Sequence, residues 1–188
     1  MIEIIEKNEE VKNQVEFRKS YFKIDDSKKT IEGNVLQITE MLNDPNIGTA
    51  SKIWDCGIIL AKYMHFNWTE IRQSIVKSDA NSLNILELGS GTGILGLYLA
   101  YLGNNVTLSD LPAVTNSILK KNCNDPINNL MLKFHKGFAK IQEIDWNLSA
   151  DNYKEFLINA EIDLIVASDP IFNKKNLEIF TTFLKSFK

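Results

Sequence analysis

The amino-acid sequence predicts an α/β protein with a parallel sheet, and three observations support this fold class. Strand-like and helix-like segments alternate four times after residue 83, as they do when parallel strands are joined by helical crossovers. Residues 162–167 form a nearly continuous apolar run, which is typical of a strand buried on both faces. A run of glycines separates the first of these strands from the helix that follows it.

Residues 1–50 are predicted to form an extension that precedes the parallel sheet. We expect residues 1–14 to be a frayed terminus, because they are charged and show no hydrophobic period. Residues 15–38 are expected to form a β-hairpin with a turn at 25–29, because β-branched and aromatic residues flank a polar turn.

Residues 51–188 are predicted to form the main domain. It begins with an amphipathic helix over 51–66, which residues 69–77 extend. Pro112 marks the start of a later helix, because proline favours the first helical position. The other predicted elements are strands at 83–88, 106–109, 130–135 and 162–167, and helices ending at 102 and spanning 151–160 and 173–185.

The composition excludes several classes of protein. Of 188 residues, 44% are hydrophobic and 24% charged, which are ordinary globular values. The net charge of −3 disfavours a dedicated nucleic-acid binder, and the apolar stretch at 94–102 is too short to span a bilayer. His65 and His135 have no partners at metal-ligand spacing, so we expect no metal site. We therefore expect a soluble cytoplasmic protein without a nucleic-acid or membrane partner.

The glycine run permits three interpretations. Gly91-x-Gly93-x-x-Gly96 fits a dinucleotide-binding pattern, and Asp110 follows Gly91 by 19 residues, as a ribose-binding acid does in an NAD fold. A plain strand–turn–helix corner would also need glycine. Glu87 instead favours a cationic ligand, because it stands two residues before Gly89, where an NAD fingerprint is usually apolar. S-adenosylmethionine (SAM) carries an ammonium group and a sulfonium, and is the favoured ligand.

Four further side chains are candidates for the same site, and each has a purely structural alternative. Asp110 ends a strand, where it would bind ribose hydroxyls or cap the next helix. Trp146, after Asp145, would cover an adenine face or pack in the core. Asp169 follows the apolar strand and would contact the reacting group or cap the last helix. For Trp54 the default interpretation is a core residue of an amphipathic helix.

In combination, these motifs resemble a known family. The features are Gly48 followed by Trp54-Asp55, the sequence ELGSGTG at 87–93, Asp145-Trp146, and the sequence DPIF at 169–172. Together they resemble the class I, or seven-β-strand, SAM-dependent methyltransferases of the methyltransferase 16 group, which contains many protein-lysine methyltransferases. The resemblance extends over about residues 15–188.

The resemblance implies a Rossmann-like fold, SAM as the cofactor, and methyl transfer to a lysine amine of a protein substrate, with translation elongation factors and chaperones as the first candidates. A small-molecule N-methyltransferase and a catalytically inactive SAM-binding interaction module are the alternatives. The implied catalytic residues are Asp169 and Phe172. The implied cofactor-binding residues are Trp54, Glu87, Gly89, Ser90, Gly91, Gly93, Asp110, Asp145, Trp146 and Ser168.

The sequence departs from the family pattern in two respects. Phe172 stands where the group commonly has tyrosine, so this position lacks a hydroxyl but keeps its capacity for cation–π contact. The family fold has seven strands, and only four are predicted before Lys188. We therefore expect strand five and the final antiparallel hairpin to be missing, which would leave strand four as an exposed apolar edge.

Overall fold

The computed structural model describes residues 2–12, 15–24, 35–75, 82–171 and 173–185. Its first sheet is antiparallel, with the strand order β1 (Ile2–Lys12), β2 (Val15–Ile24) and β3 (Val35–Leu42). Strands β2 and β3 confirm the predicted hairpin, whose turn at 25–29 lies outside the described residues.

The expectation of a frayed N-terminus is wrong. Strand β1 pairs with β2 from Ile2 opposite Ile24 to Lys12 opposite Val15. A charged segment without hydrophobic period can still form an edge strand, because the backbone supplies the hydrogen bonds and charged side chains suit an edge.

The second sheet is parallel and confirms the predicted α/β class. Its strands are β4 (Asn84–Leu88), β5 (Asn105–Asp110), β6 (Phe138–Glu143) and β7 (Leu164–Val166), in the spatial order β6-β5-β4-β7. Strand β4 therefore lies between its successor in the chain, β5, and the last described strand, β7.

One predicted strand is a helix. Residues 130–135 belong to α5 (Pro126–His135), and the third strand of the sheet is β6 instead. The carboxylate of Asp125 caps α5 by accepting hydrogen bonds from the backbone N–H groups of Ile127 and Asn128, and proline occupies the first helical position. This local start signal prevails over the apolar run.

Helices cover both faces of the parallel sheet. The two predicted N-terminal helical segments form one helix, α1 (Asp55–Ile75). The remaining helices are α2 (Ile94–Tyr101), α3 (Pro112–Val114), which continues through a π-helical turn (Thr115–Leu119) into α4 (Lys120–Cys123), α6 (Lys154–Asn159) and α7 (Lys174–Lys185). No helix within the described ranges is long and apolar enough to cross a membrane.

The core has two parts, one on each face of the parallel sheet. The larger part joins α1, α2, α4 and α5 to the sheet and includes Phe22, Leu36 and Ile38 of the antiparallel sheet. The smaller part packs the buried side chains of α7 onto Leu86 and Leu88 of β4. The N-terminal sheet thus shares its apolar face with the main core.

The chain passes very close to α2 at Gly137, the residue that precedes β6. A side chain at this position would overlap the backbone carbonyl of Ala100 in α2. We predict that Gly137→Ala lowers the free energy of unfolding by about 3 kcal/mol, because backbone must move to relieve the overlap. Gly48 is the matched control: its φ is +52° and its surroundings are open, so Gly48→Ala should cost about 1 kcal/mol. Urea denaturation measures both, and equal losses would contradict the packing described.

Candidate active site

A cavity of about 470 Å³ opens at the carboxyl ends of β4, β5 and β7. Its volume lies in the range of small-molecule sites, about 300–1,000 Å³. The strand order changes direction between β4 and β7, and open α/β sheets bind ligands in the crevice at such a switch point. The walls come from residues of the segments 46–57, 87–95, 110–114 and 144–147, and from the start of α7 with the loop before it.

The glycine-rich loop after β4 forms the floor of this cavity. Gly89, Gly91 and Gly93 have φ values of +71°, +53° and +83°, a region that glycine enters without steric cost. A Cβ at Gly91 would lie 3.1 Å from the carbonyl oxygen of Ala50, and one at Gly89 would lie 3.2 Å from the Trp146 ring. The loop therefore needs glycine both for its conformation and for close neighbours.

Gly93 is not among the residues that line the cavity, and its role in cofactor binding stays a prediction. It is the N-cap residue of α2, and a Cβ there would lie 2.7 Å from Leu119 and 3.1 Å from Leu108. Gly93 therefore allows the turn into α2 to pack closely against Leu108 and Leu119. Ser90 does line the cavity, and its hydroxyl oxygen also accepts a hydrogen bond from the Ser109 N–H at 3.0 Å.

Glu87 is a buried acid with an unsatisfied oxygen. The side chain is 2% exposed. Oε2 lies directly against Gly96 of α2 and, among the described residues, has no hydrogen-bond partner of ordinary geometry. Burial raises the pKa of Glu87 to about 8; the nearby Asp110 adds to the rise, and hydrogen bonds from Ser90 and the Gly96 backbone oppose it. A cation in the cavity would favour the ionised carboxylate.

Asp110 ends β5 beside the glycine loop. Its Oδ2 accepts a hydrogen bond from the Gly91 N–H at 2.8 Å, and its Oδ1 accepts one from the Leu111 N–H at 2.8 Å. Burial raises the pKa of Asp110, against these two hydrogen bonds. Helix α3 has no side-chain cap, so the capping alternative is wrong, and the carboxylate lines the cavity.

Trp146 packs against the core, as the sequence allowed, and its contact with adenine stays a prediction. Its ring packs edge-on against Phe180, with 4.8 Å between the centroids, and it also lines the cavity beside Gly89. The preceding Asp145 lines the cavity as well. Its Oδ1 accepts hydrogen bonds from the backbone and side chain of Asn147, at 2.9 and 2.7 Å, which form the turn that carries Trp146.

Trp54 is not a core residue, so the default interpretation is wrong. It precedes α1, its side chain is 52% exposed, and it lines the cavity. The indole N–H donates a hydrogen bond to the carbonyl of Thr49 at 2.8 Å. The helical pattern placed this residue on an inner face, whereas α1 begins only at Asp55.

The segment after β7 forms the wall opposite the glycine loop. Ser168 lines the cavity, and within the described part of the chain its buried hydroxyl has no hydrogen-bond partner. Asp169 is exposed at the mouth, with a φ of +47°, a conformation uncommon outside glycine. Asn173, and not Asp169, caps α7, because its side-chain oxygen accepts a hydrogen bond from the Asn176 N–H at 2.9 Å. Phe172 lies outside the described residues, so its role stays a prediction.

Sequence reasoning missed two residues of α7 that line the cavity, Asn176 and Ile179. They lie three residues apart and so share one helix face. The leucines of α7 do not mark its inner face, because Leu177 and Leu184 are exposed, whereas Phe180 and Phe183 are buried.

Comparison with known proteins identifies the family. Residues 30–188 match the family model described as "Lysine methyltransferase". The match covers most of the chain, and the protein belongs to this lysine methyltransferase family.

Curated relatives are similar over about 70% of this chain. They include "EEF1A lysine methyltransferase 3" of Xenopus tropicalis, 29% identical over 134 residues; "Protein-lysine N-methyltransferase EFM2" of Saccharomyces cerevisiae, 28% over 148; and "Protein N-lysine methyltransferase METTL21A" of Mus musculus, 26% over 140. The alignments cover 69%, 72% and 74% of this chain, but 52%, 33% and 55% of the relatives. The chain thus spans about a third to about half of their length.

The raised pKa of Glu87 makes the stability of the protein depend on pH. Its pKa is about 8 in the folded protein against an ordinary 4.5, so between these pH values the folded protein binds more protons than the unfolded chain. The stability of the ligand-free protein therefore falls as the pH rises through this window. Glutamine cannot ionise, so we predict that Glu87→Gln stabilises the protein at high pH. Each pKa unit corresponds to about 1.4 kcal/mol, so the gain above pH 8 amounts to several kcal/mol.

Urea denaturation at a series of pH values measures this gain. The difference between variant and wild type should vanish as the pH falls toward 4.5, the ordinary pKa of the carboxyl group. The exposed Glu155 is the control, and Glu155→Gln should change stability little at any pH. A Glu87→Gln difference that is independent of pH would contradict the burial of an ionisable carboxyl group.

Proposed function

We propose that the protein is a SAM-dependent protein-lysine N-methyltransferase. The observation that carries this proposal is a cavity of small-molecule size that is lined by the buried acid Glu87, by Asp110 and by the glycine-rich loop. Ser168 also lines the cavity, and its buried hydroxyl has no partner among the described residues. Such atoms are rare in folded proteins, which supports a ligand at this cavity. Membership in the lysine methyltransferase family supports the class of reaction.

The residues of the cavity fit SAM better than a dinucleotide. Glu87 suits the cationic methionine part of SAM, because a cation favours the ionised carboxylate, whereas a pyrophosphate would favour the protonated acid. Asp110 would accept hydrogen bonds from the ribose hydroxyls, and Trp146 and Asp145 would border the adenine. Gly89, Ser90 and Gly91 would line the methionine part, while Trp54 would close over the bound cofactor. SAM, when bound, supplies an electrophilic methyl group.

The acceptor side of the site is proposed to lie around Asp169. A lysine amine has an ordinary pKa of about 10.4, and only its neutral form has a lone pair with which to attack. The carboxylate of Asp169 would orient the amine by accepting a hydrogen bond, and Phe172 would wall its approach. Ser168 would lie beside the sulfonium. Most of the rate is then expected from positioning in a site that excludes water.

The names of the relatives support the choice of substrate class. One relative is named an EEF1A lysine methyltransferase and two others protein-lysine methyltransferases. We therefore take a protein lysine as the acceptor and a translation elongation factor as the first substrate to test.

Calorimetric titration with SAM tests the cofactor. We predict micromolar binding by the wild type and none by Gly91→Arg, because an arginine side chain there would meet the Ala50 carbonyl and fill the cavity. Gly48→Arg is the matched control. It adds the same charge at another glycine with positive φ, but one that faces open space, and it should bind SAM like the wild type. A wild-type protein that is folded by circular dichroism and does not bind SAM, or binds NAD instead, would contradict the proposal.

Transfer of a radiolabelled methyl group tests the acceptor chemistry. We predict that Asp169→Asn lowers transfer to protein at least tenfold, because the amide no longer attracts the amine, and changes SAM affinity less than twofold. In cell lysate the wild type should label a discrete protein band. Label only in small molecules would favour a small-molecule N-methyltransferase, and no label would favour an inactive SAM-binding module. Equal loss of transfer and SAM affinity in Asp169→Asn would contradict its proposed role.

A further inference from the structure

Two buried asparagine side chains close the free edge of β3. Asn122 accepts a hydrogen bond from the Thr39 N–H at 2.8 Å and donates one to the Thr39 carbonyl at 2.9 Å. Asn128 does the same at Gln37, with distances of 2.8 and 2.7 Å. Residues 37 and 39 alternate along β3, so the two amides take the place that a neighbouring strand would fill.

Asn122 makes one contact that Asn128 lacks. Its Nδ2 also donates a hydrogen bond to the carbonyl of Thr92 at 2.8 Å, and Thr92 stands between Gly91 and Gly93 in the loop that floors the cavity. Asn128 uses the equivalent hydrogen for the carbonyl of Asn122, at 2.9 Å. Both amides therefore donate two hydrogen bonds each, but only Asn122 reaches the glycine-rich loop.

The contact with Thr92 matters because of the loop's conformation. Gly91 and Gly93 both have positive φ values, and glycine is the residue type with the most backbone freedom to lose on ordering. Asn122 and Thr92 are 1% and 3% exposed, so no water replaces this hydrogen bond without opening the core. The carbonyl of Thr92 is thereby fixed, and with it the direction of the Gly93 N–H, which shares its peptide group and donates a hydrogen bond to the Ser90 carbonyl at 2.8 Å.

The same strand, β3, holds the opposite wall of the cavity. Glu40 accepts a hydrogen bond from the Ile53 N–H at 3.0 Å, immediately before Trp54. The N-terminal sheet is therefore connected to both sides of the ligand site: to the floor through Asn122 and to the wall of Trp54 through Glu40.

We infer that Asn122 is a positioning residue, which presets the glycine-rich loop for cofactor binding by tying it to the edge of β3. This inference rests on the proposed SAM site. It assigns the N-terminal sheet a role in cofactor affinity, although the side chain of Asn122 does not line the cavity. An unconstrained loop would have to be ordered on binding, and this ordering would weaken the apparent affinity.

The test compares Asn122→Asp with Asn128→Asp. Each substitution keeps the shape, replaces an N–H donor by an oxygen and leaves two backbone carbonyls without their donor, so the two variants are matched in burial and in bonds lost. We expect similar falls in melting temperature. The SAM dissociation constant, measured by calorimetry well below both melting temperatures, should rise tenfold or more in Asn122→Asp and less than twofold in Asn128→Asp.

The pair Asn122→Ala and Asn128→Ala serves if the buried charge of aspartate prevents folding, and the same contrast in affinity is expected. Equal changes in the SAM dissociation constant within a pair would overturn the inference, because the Asn122–Thr92 contact would then contribute nothing to affinity beyond its effect on general stability. Failure of the folded wild type to bind SAM would contradict the proposed function instead, and the inference with it.

Discussion

The hydrogen bond between the Gly91 N–H and Asp110 Oδ2 is the interaction on which the candidate site depends. It exists because β4 and β5 pair in parallel with Leu88 opposite Ser109, which brings the residues that follow each strand to the same edge of the sheet. The 2.8 Å contact then joins the glycine-rich loop to the acid that ends β5. Without this register the loop would have no fixed end, and neither Glu87 beneath it nor Trp146 beside it would face a defined cavity.

The site combines the fixed glycine-rich loop with a buried acid whose ionisation is unfavourable in the ligand-free protein. Glu87 is buried next to a second carboxylate, and this arrangement opposes ionisation in the ligand-free protein. A cationic ligand reverses the balance, because it supplies the opposite charge that the protein lacks at this point. Such a site is less stable without a ligand and more selective for a cationic one. This is the physical reason why an acid two residues before Gly89 is useful.

Local signals made the site more predictable than the fold around it. The glycines, Asp110 and Trp146 belong to short motifs at strand ends, and parallel strands bring such ends together whatever the rest of the chain does. The helix at 126–135 was also locally signalled, by Asp125-Pro126, but the apolar run of residues 130–132 and 134 resembles a strand equally well. Strand β1 and Asn122 could not be predicted, because their partners, β2 and the Thr92 carbonyl, are set by tertiary packing and not by a pattern within the segment.

A crystal structure of the protein with S-adenosylhomocysteine would show whether the cavity at the ends of β4, β5 and β7 holds the cofactor. We expect the ribose hydroxyls on the Asp110 carboxylate, the adenine against Trp146 and the amino group on the Glu87 side of the glycine-rich loop. A ligand bound elsewhere, or bound here with its ribose away from Asp110, would contradict this expectation.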